Sequence, residues 1–117
     1  MSNWQTRLAQ RRARFLARSH EKLENILQLI AHLEAQPGDT NCLDHINRIF
    51  HQLAGAGGIY ELVEICDLAI AAETLCSRLI IDGQLPSTAS LHKLKTLASA
   101  LSQSIDQASH GLSKSRY

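Results

Sequence analysis

Aromatic side chains are scarce in this sequence: two Phe, two Tyr and one Trp among 117 residues. The apolar weight sits instead in Leu, Ile and Ala, which disfavours a β-sandwich and favours helices. No apolar run approaches the ~18–20 residues that span a bilayer, so no membrane helix is expected. The start, Met1-Ser2-Asn3-Trp4, leads into an Arg-rich stretch without an apolar signal core, so a cytoplasmic location is expected. Three cysteines, Cys42, Cys66 and Cys76, contain no C-x-x-C, which removes the thioredoxin and zinc-finger readings. They read as small hydrophobes in a reducing compartment. Neither H-x-x-x-H nor H-x-x-H occurs, so no metal site is expected. Neither G-x-x-x-x-G-K-[ST] nor G-x-G-x-x-G occurs, so no nucleotide site is expected.

What is present suits one packed domain: 44% of residues are hydrophobic and 20% charged. The net charge of +1 is unevenly spread. Residues 1–22 hold Arg7, Arg11, Arg12, Arg14, Arg18 and Lys22 against Glu21, a net +5; residues 23–92 carry −7; residues 93–117 carry +3. A basic first segment suits nucleic acid, an acidic partner or a solvated helix face.

Hydrophobic period predicts four amphipathic helices. Their stripes are Leu23, Ile26, Leu27, Ile30 and Leu33; Leu43, Ile46, Phe50 and Leu53; Leu62, Ile65, Ala69, Ala72, Cys76 and Leu79; and Leu91, Leu94, Ala98, Leu101, Ile105 and Ala108. Breaks fall at Pro37-Gly38-Asp39-Thr40, with an N-cap at its end, at the Gly55/Gly57/Gly58 cluster, and at Asp82–Ser87, with Ser87 as N-cap. Short connections make neighbours antiparallel. The expected fold is therefore all-α, an antiparallel up-down four-helix bundle with an additional or extended N-terminal helix. Its expected parts are a basic extension over 1–14, the bundle over 15–109 and a flexible tail over 110–117.

One face of the second helix stands out. At 100° per residue His51 lies about 125° from the apolar direction set by Leu43, Ile46, Phe50 and Leu53. It should face water, beside Asp44, Asn47, Arg48, Gly55 and Gly58. An exposed glycine inside a helix costs roughly 1 kcal/mol relative to Ala, so Gly55 is either tolerated or leaves room for another backbone. Exposure alone does not single His51 out, because His20, His32 and His92 also lie in helical segments.

The run Phe50-His51-Gln52-Leu53-Ala54-Gly55-Ala56-Gly57-Gly58 resembles the phosphoacceptor motif of histidine phosphotransfer (HPt) domains. That motif reads His, any residue, Leu, usually Lys, Gly, and a further Gly three positions on. His51, Leu53, Gly55 and Gly58 fill those places, and Glu73 matches a Glu common 22 residues after the histidine. The resemblance covers about residues 15–107. Two positions depart from it. Ala54 stands where a Lys is frequent, which removes a cation. Glu61 stands where a Gly is frequent, which questions the turn into the third helix.

The resemblance implies a phosphoryl carrier without its own ATP site. His51 would take a phosphoryl group from the aspartate of one receiver domain and hand it to another. The partners would be receivers of a hybrid histidine kinase or a response regulator. No cofactor is expected on this chain; Mg²⁺ and the catalytic acids would belong to the receiver. Arg48, Gln52, Ala54, Gly55 and Gly58 are the residues expected to steady the phosphoryl group or admit the partner, with Arg48 the nearest cation on the His51 face. The alternatives are an adaptor that binds receivers without transfer, and a helical nucleic-acid binder using Arg7, Arg11, Arg14 and Arg18. The acidic remainder of the chain argues against the second.

Overall fold

Three breaks divide the chain into four helices: α1 (Asn3–Ala35), α2 (Thr40–Ile59), α3 (Val63–Asp82) and α4 (Thr88–Lys114). The computed structural model describes residues 3–114, with side chains through residue 111. Each helix packs on its two neighbours, so the four close into a ring in chain order. Cross-helix contacts show the antiparallel sense. Early α4 meets late α1 at Lys95–Glu34, and late α4 meets middle α1 at His20–Asp106. The four stripes meet in one core of Leu, Ile and Ala, with Phe50 its largest fully buried side chain. No described helix is long and apolar enough to cross a membrane.

The Arg-rich segment is not a separate fifth helix but the first part of a 33-residue α1. The α1 core stripe also begins earlier than the Leu23 start of the expected pattern. Leu16 and Ser19 are buried, and Ser19 donates its hydroxyl to the Phe15 carbonyl at 2.7 Å. α4 likewise continues through Lys114, past the expected start of a flexible tail at residue 110. Near that point Ser109 donates to the Ile105 carbonyl and His110 Nδ1–H to that of Asp106, each at 2.9 Å. The rest of the expected tail, residues 115–117, lies outside the described residues.

The caps explain the boundaries. Ser87 caps α4, its Oγ accepting the Ser90 N–H at 3.1 Å. The α2 cap is Asp39 rather than Thr40, the last residue of the expected breaker: Asp39 Oδ1 accepts the Cys42 N–H at 3.1 Å. Its other oxygen lies 2.9 Å from His32 Nε2, and these two hydrogen bonds hold the Asp39 carboxyl below its usual range.

The glycine cluster does not break α2, which runs on to Ile59. It ends in a Schellman turn: the Leu62 N–H donates to the Gly57 carbonyl at 2.8 Å and the Glu61 N–H to that of Gly58 at 3.2 Å. The motif needs a left-handed residue, and Glu61 supplies it at φ +59°. The turn geometry questioned by Glu61 is thus retained, with backbone strain at a non-glycine residue. Glu61→Gly removes that strain, partly offset by a freer unfolded chain. We expect it to raise stability by about 0.5–1 kcal/mol, read as a higher Tm, whereas Glu61→Ala brings no gain.

Candidate functional site

The exposed face of α2 carries Arg48, His51, Gln52, Gly55 and Gly58. Its opposite side fills the core with Leu43, Ile46, Phe50 and Leu53. The same amphipathic pattern that anchors α2 therefore holds His51 outward, with 74% of its side chain exposed. Its ring is nevertheless fixed. Nδ1 lies 2.5 Å from Oε2 of Glu73 on α3. A carboxylate oxygen accepts, so Nδ1 carries the proton, and in the neutral ring the lone pair is then on Nε2, facing away from Glu73.

The 22-residue spacing between His51 and Glu73 follows from the hairpin. Its midpoint is residue 62, where α2 turns into α3. Antiparallel helices place residues equidistant from the turn at the same level. Asn47 and Ser77 obey the same rule one turn further away, where the Ser77 hydroxyl donates to Asn47 Oδ1 at 3.3 Å. The sequence marks Glu73 only through the resemblance, which does not state its partner. The turn at residue 62 was the signal for its contact with His51.

Each glycine has a different setting. A Cβ on Gly55 would meet nothing within 4 Å, as its outward placement predicts. On Gly58 it would make an ordinary 3.7 Å contact with Cys66 Sγ. On Gly57 it would sit 3.2 Å from the Cys66 nitrogen and 3.3 Å from its Cα. Gly57 is therefore a point of close backbone approach between α2 and α3, six residues along α2 from His51.

Ala54 corrects an expectation. The resemblance places it among the residues that meet the phosphoryl group or a partner, yet it is buried at 8% exposure within the core cluster. The reason is the closeness of α3, which widens the buried arc of α2 on that side. Arg48 is exposed and forms no ion pair among the described residues. Other histidines are engaged elsewhere, His20 with Asp106 at 3.5 Å and His32 with the α2 cap.

The cysteines lie mainly in packing positions. Burial, reinforced by the charge of Glu73, pushes the Cys76 thiol up to about 12. Burial also raises Cys42, whose S–H donates to the Leu29 carbonyl at 3.3 Å. A high thiol pKa keeps the nucleophilic thiolate scarce. The exposed imidazole with one nitrogen held and the other free is the best-placed nucleophile on this face. Compared with known proteins, the chain matches no curated protein. The family model of the Hpt domain matches residues 11–111.

Proposed function

Because the chain belongs to the Hpt domain family, whose members act in histidine phosphotransfer, we propose that His51 carries a phosphoryl group between receiver-domain aspartates. The observation supporting this reading is the outward imidazole whose Nδ1–H is held by Glu73. In the proposed step the Nε2 lone pair attacks the phosphorus of an aspartyl phosphate. An N–P bond forms, the P–O bond breaks, and its electron pair leaves on the aspartate oxygen. The proton stays on Nδ1. The ring thereby gains positive charge, which the Glu73 carboxylate offsets. Phosphoryl transfer is mainly positioning and charge stabilisation, and one fixed ring nitrogen meets the positioning need.

No three His, Cys, Asp or Glu side chains converge among the described residues. In this reading the divalent cation and its carboxylates belong to the receiver. Arg48 is the cation on the His51 face that would steady the phosphoryl group. Gln52, Gly55 and Gly58 complete the surface the receiver meets.

Incubation with acetyl-phosphate-loaded receiver domains tests the reading. It requires acid-labile, base-stable phosphate on this chain, whereas a receiver that binds without transfer makes the chain an adaptor. Glu73 provides a finer check. A charge-assisted hydrogen bond at a mostly exposed ring is worth about 1 kcal/mol. Glu73→Ala should therefore slow transfer about five-fold. Glu73→Gln, which keeps an accepting oxygen, should fall between it and wild type. Equal rates for all three proteins would remove Glu73 from the mechanism.

A further inference from the structure

Beside the His51 face lies an open groove of about 430 Å³ between α1 and α2. Arg11, Arg14, Arg18 and Lys22 line it, over the Phe15 and Tyr60 rings, whose centroids are 5.5 Å apart. Resting on the phosphorelay reading, we propose that this groove seats a cluster of carboxylates on the receiver that docks at His51, and that it governs how fast the two proteins meet.

The helix geometry places the groove within reach of such a partner. α1 and α2 are antiparallel, and Phe15 faces Tyr60. Equal rise on both helices then sets Lys22 level with position 53 of α2, about 3 Å along the axis from His51. From there the row climbs about 16 Å to Arg11. A protein interface of ordinary size, about 800 Å² on each side, covers both His51 and this row when it is centred on the exposed α2 face between them. Ala56, which also lines the groove, is a neighbour of Gly55.

The charge pattern identifies the partner's chemistry. No acidic side chain lines the groove, and none of its four cations takes part in an ion pair among the described residues. Spacings of three, four and four set like charges beside each other on α1, which weakens a helix. The fold gains nothing electrostatic from this row, while an acidic partner would. A long polyanion fits less well. The row is short, and next to its Arg11 end Glu61 lines a neighbouring groove with Leu8 and Arg12. The face therefore departs from the Arg7, Arg11, Arg14 and Arg18 row expected of a nucleic-acid binder: Arg7 is outside the groove and Lys22 is in it.

The test is single-turnover transfer from a receiver that phosphorylates the wild-type chain, chosen from a panel of acetyl-phosphate-loaded receiver domains. Rates at limiting receiver are compared at low and high salt, about 20 and 500 mM. Each is normalised to phosphoramidate labelling of His51 in the same variant. Arg14→Glu should slow transfer about ten-fold at low salt, with the gap narrowing at high salt as screening removes the steering. Arg7→Glu makes the same change in net charge outside the groove and should slow it less than about two-fold. Equal slowing by both variants overturns the groove in favour of net charge. An unchanged rate for Arg14→Glu, with lost binding to a 20-base-pair duplex, overturns it in favour of nucleic acid. An unchanged rate without that loss also overturns it. If phosphoramidate labels the wild-type chain but no receiver does, the relay reading fails and this inference with it. Transfer that ignores Arg14→Glu removes the inference alone.

Discussion

His51→Gln yields a folded bundle that takes no phosphate. The first half of this expectation rests on exposure. With 74% of its side chain in water, His51 packs against little, and its main interaction is the hydrogen bond to Glu73. Gln has the better helix propensity and reaches water equally well. The net change in stability should stay within about 0.5 kcal/mol, as for most surface substitutions. The second half rests on chemistry. The lone pair of an amide nitrogen is delocalised into its carbonyl, so Gln offers no nucleophile comparable to Nε2. His20 and His32 face aspartates instead and do not share the glycine-flanked surface. Labelling by a phosphorylated receiver should therefore disappear, while helical circular dichroism and Tm remain near wild type. Undiminished label on His51→Gln would move the acceptor to another residue and overturn the proposed function.

The parts of the fold visible in the sequence are those set by period. Every residue of the second helix's expected stripe is buried, as are Ile65, Ala69, Ala72 and Cys76 on the third. Phase along one helix also placed His51 and Gly55 outward. The misses come from what a single helix cannot report. Ala54 is buried because α3 is close, and that closeness depends on Gly57 and Cys66, which belong to different helices. Leu16 was hidden among arginines that made its segment read as solvated, although one apolar residue per turn is enough to extend a core stripe. Glu61 ends α2 in a conformation usually left to glycine, so composition pointed away from the turn that forms. The three glycines read as one punctuation mark, but the helix separates them by direction.

That separation gives opposite expectations for two glycines two residues apart. At Gly57 the obstacle to a side chain is Cys66 backbone, 3.2 Å from the new Cβ at nitrogen and 3.3 Å at Cα, with Ile65 Cγ2 at 3.4 Å. A neighbouring side chain can rotate away, but backbone within the first turns of a helix must move with that helix. Gly57→Ala sets up to roughly 1 kcal/mol of helix propensity against this strain. Gly57→Val adds two methyl groups in a buried seam and should lose about 2–3 kcal/mol by overpacking. The displaced α3 carries Glu73, so the hydrogen bond to His51 should weaken as well, and transfer should fall with stability. At Gly55 the space is open. Gly55→Ala should raise stability by up to roughly 1 kcal/mol. Gly55→Glu should fold normally but transfer poorly, because its carboxylate projects beside His51 into the volume an acidic receiver must enter. Thermal melts and receiver-to-His51 transfer on these variants separate the two roles: Gly57→Val loses both properties, and Gly55→Glu loses only transfer. If Gly57→Val melts at the wild-type temperature, the two helices do not depend on that contact. If Gly55→Glu transfers at the wild-type rate, the open space at position 55 is not kept for a partner.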